Sequence, residues 1–256
     1  MLIPAVADLE VTAIEAAREG SATIRAAAGR LGAVRTKSGP TDPVTALDLE
    51  VERVIRQRLA RRTPGASFLG EEEGNTSGDS SLGWILDPID GTVNLTYDLP
   101  IIGVSLAATV DGEAVAGAVV DVWRDEVFSA AAGGGARLDG STIGPSGAER
   151  MAEALVVTGF DYSSELRAAE AESFRRVLPA ARDIRCFGSA ALHLCWVACG
   201  RVDAFYQRNM KLWDYAAGAL IAREAGARVE PPTPENGQLM LVASPGVFDP
   251  LHRLVA

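Results

Sequence analysis

Histidine is nearly missing from this 256-residue chain, which has only His193 and His252. A histidine-rich zinc or iron centre is thereby excluded. Cysteine is scarce too, with Cys186, Cys195 and Cys199. An odd number, two of them one helical turn apart, suits reduced and buried thiols rather than a disulfide framework or a zinc site. No Lys/Arg-rich block occurs, and 24 basic against 34 acidic residues leave a formal charge of −10. That balance argues against nucleic acid or an anionic membrane as partner. Nor is there a basic segment followed by an apolar one and a cleavage site, or any apolar run approaching a membrane span, so a cytoplasmic protein is expected. No internal repeat or low-complexity tract is visible.

What is present is ordinary globular material, 48% hydrophobic and 23% charged, enough for a substantial core. The expected organisation is a single domain over 1–256. Helices and then antiparallel strands fill 1–150, and an alternating strand–helix layer fills 151–256.

The chain is organised around Trp84-Ile85-Leu86-Asp87-Pro88-Ile89-Asp90-Gly91-Thr92-Val93-Asn94. The apolar start reads as a buried strand, and Pro88, which cannot donate to a ladder, predicts its end at or just after Asp87. Asp90-Gly91-Thr92 reads as the entry to a helix or tight turn, whose N–H groups would face whatever the aspartates hold. At an effective dielectric of about 20, two carboxylates about 4 Å apart repel by roughly 4 kcal/mol. A cation bridging to an anion resolves the conflict, so the implied ligand is a metal ion with a phosphate.

Around that stretch, helical spacing predicts helices over about 5–29 and 44–62, separated by an exposed loop over 34–43 that carries Arg35 and Lys37. Asp42, Thr45 and Asp48 surround the start of the second helix; capping alone could explain one of them. A short strand over 66–70 runs into Glu71-Glu72-Glu73, and a polar loop follows to Ser81. Strands over 101–110, 113–122 and 125–130 form a meander ending in Gly133-Gly134-Gly135, which does not open a helix as a nucleotide loop would. Strands near 155–158, 183–187, 202–207, 228–229 and 239–242 then alternate with helices over 164–178, 189–199, 213–225 and from about 246. His193 reads as a core or rim histidine and Trp213 as core.

The acids at element ends are Asp42, Asp48, Glu71, Asp87, Asp90 and Asp214. Spacing alone does not join Asp214 to the rest. However, Asp42–Asp48, Gly70-Glu71-Glu72, Trp84–Asn94 and Trp213–Gly218 resemble, in order and spacing, the four signatures of the inositol monophosphatase family, and Gly188-Ser189-Ala190-Ala191 matches a fifth, substrate-side element. The resemblance implies an α/β chain of α+β type, folded as the five-layered αβαβα sandwich of the sugar phosphatases. It implies a lithium-sensitive, Mg²⁺-dependent hydrolase of phosphate monoesters, commonly a homodimer, with two to three ions per site. Carried over, Glu71, Asp87 and the Ile89 carbonyl would hold one ion, and Asp87, Asp90 and Asp214 a second. Glu71 would share a third, weaker ion with Asp42. Glu71 and Thr92 would orient the attacking water, with Asp48 and Thr45 behind Thr92. Gly91, Thr92, Asp90 and Lys37 would meet the phosphate, and Gly188, Ser189, Ala190 and Gln207 the rest of the substrate.

Many inositol-hydrolysing members carry a glutamate where Gln207 stands. An amide still binds hydroxyls, but without charge assistance. The expected substrate is inositol 1-phosphate or a related polyol or sugar phosphate. Histidinol phosphate, fructose 1,6-bisphosphate and 3′-phosphoadenosine nucleotides are the rivals, and a non-catalytic regulator is the non-enzymatic alternative.

Overall fold

The structure is a computed structural model that describes residues 3–27, 35–36 and 43–256. Asp42 and Lys37 lie outside the described residues. The chain opens with helix α1 (Val6–Ala27), and α2 (Ala46–Arg62) follows a two-residue antiparallel pairing of β1 (Arg35–Thr36) with β2 (Pro43–Val44). That pairing spans the expected 34–43 loop and takes in Val44, where the second helix was expected to begin. Next come β3 (Ser67–Gly70), β4 (Gly74–Thr76), β5 (Leu82–Asp90), α3 (Thr92–Thr96), β6 (Gly103–Val110), β7 (Glu113–Asp121), β8 (Glu126–Ala131), β9 (Ala136–Leu138) and β10 (Ser141–Thr142). These form an eight-stranded sheet in the order β10-β9-β8-β7-β6-β5-β3-β4, antiparallel except where β3 meets β5. The polar stretch after Glu73, expected as loop, thus carries a short edge strand, β4.

After a short 3₁₀ turn the chain builds β11 (Leu155–Thr158), α4 (Ser164–Val177), β12 (Asp183–Arg185), α5 (Ala190–Ala198), β13 (Ala204–Arg208), α6 (Leu212–Glu224), β14 (Arg228–Glu230), β15 (Leu239–Ala243) and α7 (Pro245–Val255). The second sheet runs β12-β11-β13-β15-β14, with β11 parallel to both its neighbours. Helix α5 (Ala190–Ala198) joins β12 to β13, as parallel neighbourhoods with a crossover require.

Side-chain alternation sorts the sheets into layers. Trp84, Leu86, Val104, Leu106 and Val120 face α1 and α2, where Leu9, Ala13, Val51, Ile55 and Leu59 meet them. Ile85, Ala107, Val119 and Phe128 face the other way, onto Leu192, Leu194, Leu220 and Ile221 of α5 and α6; Val157, Phe205 and Val242 of the second sheet close that core from beyond. On the far side of the second sheet Val156, Ala204, Tyr206 and Leu241 pack under Val177 of α4 and Val247 and Leu251 of α7. Helix, sheet, helix, sheet, helix is the five-layer order expected. Among the described residues no helix is long and apolar enough to cross a membrane.

The Gly133–Gly135 cluster is a turn whose purpose is visible. The Gly133 and Gly135 N–H groups both donate to the Glu224 carboxylate, at 3.0 Å each. The cysteines depart from expectation in one place: Cys195 is buried and Cys199 partly so, but Cys186 is exposed. His193 is a core residue, ringed by Phe187, Trp196 and Phe205. Its Nε2 accepts the Phe187 N–H at 3.3 Å, and burial pulls its pKa down to about 3, so it stays neutral. Trp213 is only half-buried at the edge of that core.

Candidate active site

Pro88 does not end β5, which continues through Asp90. The ladder to β6 pairs Asp87 with Ser105 and resumes with Asp90 opposite Gly103, so three steps on β5 face two on its neighbour. One extra residue is a β-bulge, where a missing N–H costs little. Its geometric effect is larger. Residues three apart on a regular strand point to opposite faces, and a single inserted residue turns Asp87 and Asp90 to the same side. The Asp87 Oδ1 accepts the Ile89 N–H at 3.0 Å, which closes the bulge.

Glu71 lies in the turn between β3 and β4, beside this corner, and Asp214 in the first turn of α6. Burial first, then the charges of Glu71, Asp90 and Asp214, push the Asp87 carboxyl well above the ordinary carboxylate range. Burial pushes Asp90 up to about 6 against three hydrogen bonds. It pushes Asp214 up to about 8, with Asp90 and Glu71 adding to the effect and the Lys211 N–H opposing it. The acids therefore feel one another. Even so, no three His, Cys, Asp or Glu side chains among the described residues close around a common point as a finished metal cage would. Like charges at a buried corner spread apart, and several of their oxygens are held by the protein's own donors.

The hydroxyl chain behind the corner is fully formed. Thr92 Oγ1 lies 3.1 Å from Asp48 Oδ1 and 3.0 Å from the Ile89 carbonyl, and can donate to either. Asp48 Oδ2 accepts both the Thr45 hydroxyl at 2.6 Å and the Thr45 N–H at 2.9 Å, while Thr45 Oγ1 caps α2 by accepting the Leu47 N–H. Capping and site architecture, the two readings open for this pair in the sequence, coincide in the same atoms. Asp48 is 1% exposed, and its contact to Thr92 crosses from α2 to α3, which a plain helix start does not need.

Gly91, between Asp90 and α3, adopts φ +107°, and a Cβ there would lie 2.9 Å from the Ile101 carbonyl and 3.2 Å from that of Gly188. Only glycine fits. Asn94 then ties the corner to the second half of the chain, its Nδ2 donating to the Ile101 carbonyl at 2.8 Å and the Phe187 carbonyl at 2.6 Å.

Ser189 and Ala190, expected to face substrate, give donors to Asp90. The Ser189 hydroxyl donates to Asp90 Oδ2 at 2.5 Å, the Ala191 N–H to the same oxygen at 2.7 Å, and the Ala190 N–H to Oδ1 at 3.2 Å. Asp90 thus caps α5 from 100 residues away. Gln207, near the end of β13, shares the rim of a small cavity with Thr158, Gly159, Phe160, Glu170 and Tyr206. Its amide lies over Gly159, where a Cβ would come within 2.1 Å of Gln207 Oε1.

Three features escaped the sequence reading. Glu52 and Arg56, four apart on α2, stand in no motif, yet Glu52 is 0% exposed. Glu170 lies on α4, far from every motif. Asn94 stands within the central stretch, but the carbonyl it holds at Phe187 is remote in sequence. The one local clue was Glu52 beside Val51 and Ile55, an acid on the apolar face of α2.

Comparison with known proteins shows the family. The sequence model of the inositol monophosphatase family matches residues 6–253. The inositol-1-monophosphatase SuhB of Mycobacterium tuberculosis is 49% identical over 232 residues, covering 86% of this chain and 80% of that protein. The Nus factor SuhB of Pasteurella multocida is 36% identical over 220 residues, covering 85% of this chain and 82% of its own length. Among solved structures, the extragenic suppressor protein SuhB of Bartonella henselae superposes with a TM-score of 0.91 at 30% identity, covering 97% of this chain and 98% of that one. The chain belongs to the inositol monophosphatase family, whose enzymes are phosphoric monoester hydrolases.

Proposed function

We propose that the chain hydrolyses polyol phosphate monoesters, inositol 1-phosphate first among them, at the corner formed by Asp87, Asp90, Glu71 and Asp214. The observation that carries this reading is the β5 bulge, which turns two aspartates to one side beside the Thr92–Asp48–Thr45 chain. The M. tuberculosis relative, named an inositol-1-monophosphatase, supports the substrate.

Members of this family generally use Mg²⁺, and the donor set fits it: four carboxylates and the Ile89 carbonyl are hard oxygens. Carboxyls held above their usual range mark a site short of positive charge. Glu71, Asp87, Asp90, Asp214 and the Ile89 carbonyl would hold two ions, with Asp42 contributing to a third. When bound, Mg²⁺ lowers the pKa of a water and neutralises charge on the phosphate.

The protein's own part follows from the hydrogen bonds. Thr92 donates its proton to Asp48 or to the Ile89 carbonyl, so its oxygen presents lone pairs to an attacking water and fixes that water's orientation. Asp48, locked by Thr45, holds the Thr92 rotamer. Glu71 takes the water's proton as the new O–P bond forms and the ester P–O bond breaks, and solvent returns a proton to the departing alcohol. The Gly91 and Thr92 amides meet the phosphate oxygens, and Gln207 the substrate hydroxyls.

Phosphate release from inositol 1-phosphate, glycerol 2-phosphate, fructose 1,6-bisphosphate, histidinol phosphate and 3′-phosphoadenosine 5′-phosphate at saturating Mg²⁺ tests the reading. Fastest turnover of inositol 1-phosphate is expected. A folded protein idle on the whole panel would move the regulator reading, which the relative named a Nus factor supports, to the front. The Gln207 assignment has its own test in Gly159→Ala. The new methyl displaces the Gln207 amide, so KM for inositol 1-phosphate should rise roughly 2- to 10-fold, the worth of one hydrogen bond. The kcat/KM for phenyl phosphate, which has no ring hydroxyls, should stay put.

A further inference from the structure

Glu52 lies on the inner face of α2, and both of its carboxylate oxygens are engaged by one short turn. Glu52 Oε2 accepts the Glu72 N–H at 2.9 Å and Oε1 accepts the Glu73 N–H at 3.0 Å, so the two residues that follow Glu71 are both fixed by one acid. Arg56, one helical turn further on, holds Glu52 Oε1 through Nε at 2.8 Å and reaches past it to the returning strand. Its Nη2 donates to the Gly74 carbonyl at 2.7 Å and its Nη1 to Thr76 Oγ1 at 3.2 Å. A further contact to Glu73 Oε2 at 3.3 Å and a seat over the Phe68 ring complete its surroundings. The pair therefore grips β3, the turn and β4 together.

We propose that Glu52 and Arg56 are positioning residues that set where Glu71 stands, and through it the affinity of the site for Mg²⁺. The inference rests on the proposed role of Glu71 as a ligand. A tight hairpin of this length does not need a buried ion pair to close, and burying one is costly unless its hydrogen bonds are all made. Beyond the bond between the two, their hydrogen bonds to the described residues go to the turn and to the strand leaving it. An acid that receives two successive backbone N–H groups fixes the peptide planes between them, and so the direction in which the residue before them projects. Neither residue reaches the reacting atoms; their effect is on the geometry of one that does.

The test measures Mg²⁺ affinity of the full chain, by calorimetry and by the Mg²⁺ dependence of Tm, alongside kcat at saturating Mg²⁺. In Glu52→Gln the amide can accept one of the two N–H groups but opposes the other with its own. Mg²⁺ affinity is expected to fall about 10-fold while kcat at saturation stays within about 3-fold. Arg56→Lys, which keeps the charge but loses the forked contacts, should give a smaller shift in the same direction. Ile55→Val, a fully buried neighbour, should lower Tm without moving Mg²⁺ affinity. Wild-type affinity in folded Glu52→Gln, while Glu71→Gln weakens binding, overturns the inference alone. Wild-type affinity in Glu71→Gln overturns the ligand reading and this inference with it. Failure of both Glu52→Gln and Arg56→Lys to fold, even with Mg²⁺, overturns it by making the pair a folding element.

Discussion

Asp87→Asn should abolish turnover and at the same time stabilise the metal-free protein. The loss of activity follows from removing the carboxylate at the centre of the proposed ion site, and a fall of 10³-fold or more is expected, on the order of what a single key electrostatic group supplies. The gain in stability follows from the same atoms. Asp87 is 2% exposed, and burial together with Glu71, Asp90 and Asp214 raises its pKa. Asparagine keeps the shape and the Oδ1 that accepts the Ile89 N–H, and removes the charge. With repulsion between close carboxylates worth up to roughly 4 kcal/mol per pair, a net gain of about 1–3 kcal/mol is expected. Chemical denaturation in EDTA checks it, and a lower midpoint than wild type would contradict it.

The same shifts fix a pH dependence. A carboxyl whose folded pKa is raised binds its proton more tightly folded than unfolded, so its contribution is fully present below the unfolded pKa of about 4 and is lost as pH rises through the folded value. Asp90 at about 6 and Asp214 at about 8 set the window. Metal-free wild type should lose stability between about pH 4 and 8, and Asp87→Asn should lose less of it. Mg²⁺ should restore stability to wild type at pH 8 and do little for the variant.

What the sequence disclosed of this site was local chemistry, and what it concealed was long-range geometry. Asp87 and Asp90 stood out because an apolar run stopped at two acids. The strand's continuation past Pro88 was misread because a proline inside a strand normally ends it, and a bulge is the one setting that spares it. Asp214 could not be joined to the group from spacing, since its hydrogen bond to the Lys211 N–H makes it an ordinary helix-start acid as well. The helix period was readable where one face is buried, as in α1, and β5 to β7 were readable as apolar runs because both of their faces are covered. The short edge strand β4 was not, because Gly74-Asn75-Thr76 owes its strand form to pairing with β3 and not to its own composition. Glu52 with Arg56 was missed for a related reason: spacing four apart on a helix is the signature of a solvated ion pair, and only the packing of β3 and β4 against α2 turns it inward.

Asp90→Ala should act on stability in the direction opposite to Asp87→Asn, although the two aspartates are three residues apart and share the same site. Asp87 accepts one local N–H. Asp90 accepts the Ser189 hydroxyl and the Ala190 and Ala191 N–H groups, and these sit at the start of a helix whose middle is the core between the two sheets. Truncation leaves those donors without their acceptor. Each buried donor without an acceptor costs about 1–3 kcal/mol, part of which the Ser189 hydroxyl recovers by rotating. The burial penalty that lifts the Asp90 pKa is relieved at the same time. Above about pH 6 that relief offsets the lost bonds, since burial outweighs them in setting the pKa; at about pH 5 the carboxyl folds protonated with no charge to relieve, and a net loss of about 2–4 kcal/mol is expected. Because the lost bonds join β5 to α5, amide hydrogen exchange should rise first in 188–192 and only later in β5. Equal stability in Asp90→Ala and wild type at that pH without Mg²⁺ would mean that Asp90 is tuned for the ion alone. The expected loss instead makes it the residue through which an occupied site and the packing of α5 are coupled, since Oδ2 holds two α5 donors while Oδ1, with one, keeps a lone pair for a cation.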